Sequence, residues 1–123
     1  MSRDHLLYLE DIESGCKKVI RYTGGLSFDE FLLDEKTFDA VLRNLEIIGE
    51  AVKHIPDEIR ERSPDISWRE IAGMRNFIAH VYFALDLEVL WNVIQVEVPT
   101  LLEAIHNAIA LEASQEHEGS AKK

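Results

Sequence analysis

Apolar residues in this chain recur at three- and four-residue steps, and no segment alternates with period two. That pattern confines the fold to packed helices. In the first segment Leu6, Leu9, Ile12, Cys16, Val19 and Ile20 make one stripe, and Thr23-Gly24-Gly25 stops it. Ser27-Phe28-Asp29-Glu30 has capping-box spacing and predicts a short helical turn. Asp34 or Thr37 opens a second long helix with Phe38, Val41, Leu42, Leu45, Ile48, Val52 and Ile55 on one face, ended by Pro56. A short helix fits Asp57–Arg62. Ser67-Trp68-Arg69-Glu70 repeats the capping-box spacing and starts a third helix, with Trp68, Ile71, Ala72 and Ile78 on its buried side. Asp86 caps a fourth, with Leu87, Leu90, Trp91, Ile94 and Val98 inward. Pro99 has no N–H to bond back to residue 95, so this helix is expected to kink or split there. Leu101, Leu102, Ile105, Ile109 and Leu111 continue the stripe.

The expectation is an all-α antiparallel bundle of four to five principal helices with a Pro-kinked or split C-terminal helix. One domain over residues 1–113 and a polar, frayed tail over 114–123 account for the length of 123 residues. Apolar residues form 46% of the chain, enough for a core. No apolar run approaches the roughly 20 residues of a membrane span. The N-terminus lacks the marks of a signal peptide, so the cytoplasm is the expected compartment. The lone Cys16 is expected to be a buried small hydrophobe, and Trp68 and Trp91 core anchors. His5 and His117 are expected in solvent, and His54 and His106 in surface or hydrogen-bonded roles. The formal charge of −10 opposes nonspecific binding to nucleic acid, while Arg60, Arg62, Arg69 and Arg75 leave room for a local cationic site.

Chemistry concentrates in Arg75-Asn76-Phe77-Ile78-Ala79-His80-Val81-Tyr82. Arginine matches phosphate oxygens with a fork of donors, and histidine exchanges protons near neutral pH. Asn76 and His80 are one helical turn apart on one face, so the amide can orient the imidazole or hold a phosphate oxygen. Arg75 is rotated roughly 140° from His80, so its side chain must reach around. No His or Cys pair has metal-site spacing, no glycine-rich phosphate loop occurs, and neither metal nor cofactor is expected.

The segment from Trp68 to Phe83 resembles the signature of HEPN-domain proteins of the HepT type, R-N-x-x-x-H-x-Y after a W…I-x-G-M-R lead-in. The similarity extends over nearly the whole chain. Arg43-Asn44-Leu45-Glu46-Ile47-Ile48-Gly49-Glu50-Ala51 resembles that family's second helix, and Asp86-Leu87-Glu88-Val89-Leu90-Trp91 its entry to the fourth. Arg75, Asn76, His80 and Tyr82 all match. The resemblance implies a HEPN-like bundle that homodimerises across the motif. It implies a metal-independent endoribonuclease, the toxin of a toxin–antitoxin pair, with Arg75, His80 and Asn76 as its catalytic residues. The implied antitoxin is a minimal nucleotidyltransferase that silences the toxin by adenylating the motif tyrosine, here Tyr82. The competing expectation is a noncatalytic nucleotide-binding or partner-binding HEPN module using the same cleft.

Overall fold

A computed structural model describes the backbone of residues 3–83 and 86–121, with the side chains of 3, 82 and 116–121 outside the description. It is an all-α bundle, and no strand occurs among the described residues. In chain order the helices are α1 (Arg3–Thr23), α2 (Phe28–Leu33), α3 (Glu35–Val52), α4 (Asp57–Arg62), α5 (Trp68–Ala72), α6 (Met74–Tyr82) and α7 (Leu87–Asn92). A π-helical segment, Val93–Glu97, then leads into α8 (Val98–Ala121). The long helix α1 packs against both α3 and α8, and α3 carries α5 and α6 on another side. The backbone is helical through Ala121, so the polar tail continues α8.

The stripes read from the sequence are the core. Leu9, Ile12, Cys16 and Val19 of α1 meet Leu42, Leu45 and Ile48 of α3, all buried. Each fully buried side chain of this size contributes roughly 1.5–3 kcal/mol. Burial, and secondarily the charge of Glu13, pushes the Cys16 thiol up to about 12. Trp68 is buried and its Nε1 donates to the Ser63 carbonyl at 3.0 Å. Trp91 packs on Phe28 and Phe31, with ring centroids 5.8 and 5.4 Å away.

Helix ends follow local chemistry. After α1 the chain turns through Gly25, whose φ of 82° suits glycine. Ser27 and Glu30 form the expected reciprocal cap of α2, at 3.1 and 3.0 Å. Asp34 rather than Thr37 caps α3, accepting from the Thr37 N–H at 3.1 Å and hydroxyl at 2.8 Å. Those bonds, backbone first, hold the Asp34 carboxyl below the usual carboxylate range.

Several local expectations change. Helix α3 stops at Val52, short of Pro56. Pro56 cannot donate, and it disfavours helical backbone at Ile55. The side chain of Arg60 takes up the freed carbonyls, donating to Val52 at 2.8 Å and Ile55 at 3.0 Å. The third predicted helix is broken at Gly73 into α5 and α6, and Ser67 makes no side-chain cap. Asp86 precedes α7 without capping it through its carboxylate. The interruption expected from Pro99 takes the form of the π turn just before it, closed by the Val98 N–H donating to the Val93 carbonyl. A wider turn moves the residue-95 carbonyl away from the proline ring, and the helix continues.

Two contacts join elements far apart in sequence. Glu112 of α8 is fully buried, and Arg62 of α4 donates to both its oxygens at 2.8 and 2.6 Å. His106 Nε2 lies 3.1 Å from a Glu13 oxygen, linking α8 to α1.

Candidate active site

Helix α6 presents the motif because its apolar residues face α3. Ile78 and Val81 are buried, Met74 and Phe77 half-buried, and Arg75, Asn76 and His80 exposed. Gly49 on α3 permits the approach. A Cβ built there would lie 2.9 Å from the Met74 Cβ and 3.1 Å from the Ile71 carbonyl oxygen. A glycine on α3 therefore sets how closely the motif helix docks.

Asn76 and His80 share the exposed strip, one turn apart, as their spacing predicts. His80 lies in the last turn of α6. Its Nδ1 lies 3.6 Å from an Asp86 oxygen, with the side chains 60% and 42% exposed. That is longer than a hydrogen bond, but it sets the nitrogen nearest the carboxylate.

Arg75 faces elsewhere. It borders a groove of about 400 Å³ whose other walls include Arg43, Glu46 and Glu50 on α3, Tyr8 and Asp11 on α1, and His54. His80 is not part of that lining, consistent with its rotation from Arg75. Within the groove the Tyr8 and His54 rings stack at 4.4 Å and 10°. Arg43 approaches Glu46 at 3.9 Å and Lys53 approaches Glu50 at 3.3 Å. These exposed pairs are weak.

Tyr82 is the last residue of α6, and its side chain lies outside the described residues. Asn44 is buried, its Nδ2 donating to the Ala40 carbonyl at 2.8 Å, so it serves the helix rather than the site. Among the described residues, no group of three or more His, Cys, Asp or Glu is placed to hold a metal. Nor is any helix among them long and apolar enough to cross a membrane.

Sequence reasoning missed two features. Asp86 reads as a helix cap, and its approach to His80 depends on how the start of α7 is placed against the end of α6. Arg43, Glu50 and His54 fall at helical spacing, but a polar strip is usually a solvated face. Only α1 and α6 turn it into a groove.

The family model described as ribonuclease HepT-like matches residues 12–108. A protein of Thermococcus cleftensis named "Probable ribonuclease HepT" is 45% identical over 101 residues, 82% of this chain and 92% of that protein. A protein of Caldanaerobacter subterraneus subsp. tengcongensis named "Putative RNase" is 40% identical over 105 residues, covering 85% and 94%. Another "Putative RNase", of Methanocaldococcus jannaschii, is 37% identical over 107 residues, covering 87% and 88%. No solved structure matches significantly. With the matched region spanning α1 to α8 and enclosing the whole motif helix, the chain belongs to the HepT-like ribonuclease family.

Proposed function

We propose that this protein is a metal-independent endoribonuclease, the toxin of a toxin–antitoxin pair. The observation that carries the reading is the exposed strip of α6, where Asn76 and His80 lie one turn apart and Asp86 approaches His80 Nδ1 at 3.6 Å. Family membership supports it. His80 Nε2 takes the proton from a ribose 2′-OH, whose oxygen attacks the adjacent phosphorus. The bond to the 5′-oxygen breaks, and that oxygen receives a proton from a second acid, the partner subunit's His80. The products carry a 2′,3′-cyclic phosphate and a 5′-hydroxyl. Arg75 stabilises the charge that builds on phosphorus, and Asn76 holds a phosphate oxygen.

A homodimer across the motif supplies the second histidine. Exposed apolar surface beside the motif supports such pairing: Phe83 is 78% and Val89 51% exposed. Silencing belongs to a minimal nucleotidyltransferase. It transfers AMP from ATP to the Tyr82 hydroxyl, releasing pyrophosphate. The added phosphodiester anion opposes RNA where Arg75 attracts it.

The test is cleavage of RNA by purified protein. Wild type should cut in EDTA and leave cyclic phosphate ends. His80→Ala and Arg75→Ala should each lose about 10²–10⁴-fold with helical content unchanged by circular dichroism. Activity that needs a divalent ion and leaves 3′-hydroxyl ends refutes the mechanism. Co-expression with the nucleotidyltransferase should add AMP to wild type and none to Tyr82→Phe, by intact mass. A silenced Tyr82→Phe variant refutes the assignment of Tyr82.

A further inference from the structure

Arg75 opens onto a groove that the proposed chemistry leaves unused. Its volume of about 400 Å³ lies within the range of small-ligand clefts, roughly 300–1,000 Å³. Arg43, Glu46 and Glu50 recur on one side of α3, and His54 follows one turn later. His54 stacks on Tyr8 and remains exposed at the groove.

A phosphate is a poor occupant. Asp11, Glu46 and Glu50 put three carboxylates against the guanidinium groups of Arg43 and Arg75. A planar, uncharged group rich in N–H donors fits better. The ring platform accepts its face, and the carboxylates accept its N–H groups. Among the RNA bases, guanine presents two parallel donors, N1–H and the N2 amino group, matched to the two oxygens of one carboxylate. Adenine and cytosine set an acceptor beside their donor, and uracil flanks its N–H with carbonyls. Each of those would turn a lone pair toward the carboxylate.

The position also suits a bound strand. Arg75 and His80 are five residues apart, about 7.5 Å along the helix axis. A phosphate held by Arg75 lies at the edge of the groove, and the adjoining nucleotide enters it. We infer that this groove is a guanine-recognition subsite, with His54 as stacking platform and Glu50, one turn away, as the carboxylate acceptor. The inference rests on the ribonuclease reading for its substrate. The exposed pair with Lys53 is weak and gives way to the base.

The test uses the intact chain and 2′-O-methyl tetranucleotides, which lack the attacking hydroxyl and cannot be cut. They differ only in carrying one G, A, C or U among abasic positions. Fluorescence anisotropy should show the G oligomer binding at least about fivefold tighter than the others, the low end of a bidentate base contact. Glu50→Gln, an exposed substitution, should weaken G by about 5- to 150-fold. It should also favour A relative to G, because an amide offers one acceptor and one donor. The His54 ring protons should shift upfield by NMR on adding guanosine monophosphate, and ribose 5-phosphate should not move them. Equal affinity for all four bases, preference for another base, an equal loss on every oligomer in Glu50→Gln, or silent His54 resonances each overturn the inference. Cleavage without base preference sinks the subsite alone. Guanosine-dependent shifts at His54 in a chain that never cuts RNA sink the ribonuclease reading alone.

Discussion

Replacing Gly49 with alanine tests how the motif helix is held. In an ordinary helix interior this change stabilises by about 0.8–1.0 kcal/mol, because alanine has the higher helix propensity. Here the new Cβ meets the Met74 Cβ at 2.9 Å and the Ile71 carbonyl oxygen at 3.1 Å. Neither is the free end of a flexible side chain, so the backbone of α5 and α6 must move. Overpacking of this kind costs roughly 1–3 kcal/mol. The helix gain offsets part of it, and the expected net loss reaches about 2 kcal/mol. At roughly 2.1 cal/mol/K of unfolding entropy per residue over 123 residues, that lowers Tm by as much as about 8 °C. Because α6 carries Arg75 and His80, RNA cleavage at a permissive temperature should fall by on the order of tenfold or more. Gly73→Ala is the control. Its φ of −79° suits any residue, and the nearest atom to its added Cβ is the Glu70 carbonyl oxygen at 3.4 Å. Its Tm should stay or rise. Differential scanning calorimetry decides the matter, and a raised Tm for Gly49→Ala would refute the claim that Gly49 sets the docking distance.

Arg62→Ala leaves the fully buried Glu112 carboxylate without its two bonds. With Arg62 itself about a third exposed, 34%, urea unfolding should show a loss of about 2–4 kcal/mol. The double variant Arg62→Met, Glu112→Leu should recover most of it, and a double variant no better than the single would contradict the buried pair. The Cys16 thiol, pushed up to about 12 by burial, should resist alkylation at pH 8.5 in the native protein and react promptly in denaturant. The folded thiol keeps its proton while the unfolded one loses it, so Cys16 makes stability fall as pH rises from about 9 to 12. Cys16→Ala should flatten that slope in urea titrations, and an unchanged slope would assign it to other groups.

The functional consequences meet on α6. Its inward face docks on α3, its exposed strip carries Asn76 and His80, and Arg75 reaches into the groove beyond. The homodimer proposed across this helix adds no residue type to the site, but it supplies a second proton-transfer group. Glu50 and His54 lie outside the signature motif, so changes there alter which RNA is cut while leaving the motif intact.

Local information was legible in the residues themselves. Apolar spacing of three and four is a property of the chain, and it marked the faces of α1, α3, α7 and α8 that became the core. Side chains that bond within four residues, such as Ser27 with Glu30 and Asp34 with Thr37, declared where α2 and α3 begin. The 140° rotation between Arg75 and His80 follows from helix geometry alone, and the two side chains do face different surroundings. What the sequence could not show depends on partners distant along the chain. Ser67 has the spacing of a cap and makes none, its ψ being 64° where the capping Ser27 has 168°. Arg60 closes the end of α3, and Arg62 finds Glu112 fifty positions away. Asp86, just before α7, approaches His80 of α6, and Tyr8 of α1 stacks on His54 beyond the end of α3. Short-range bonds and periodicity are written along the chain. The groove and the orientation of the imidazole exist only once helices pack, because each needs groups that folding alone brings within a few ångströms.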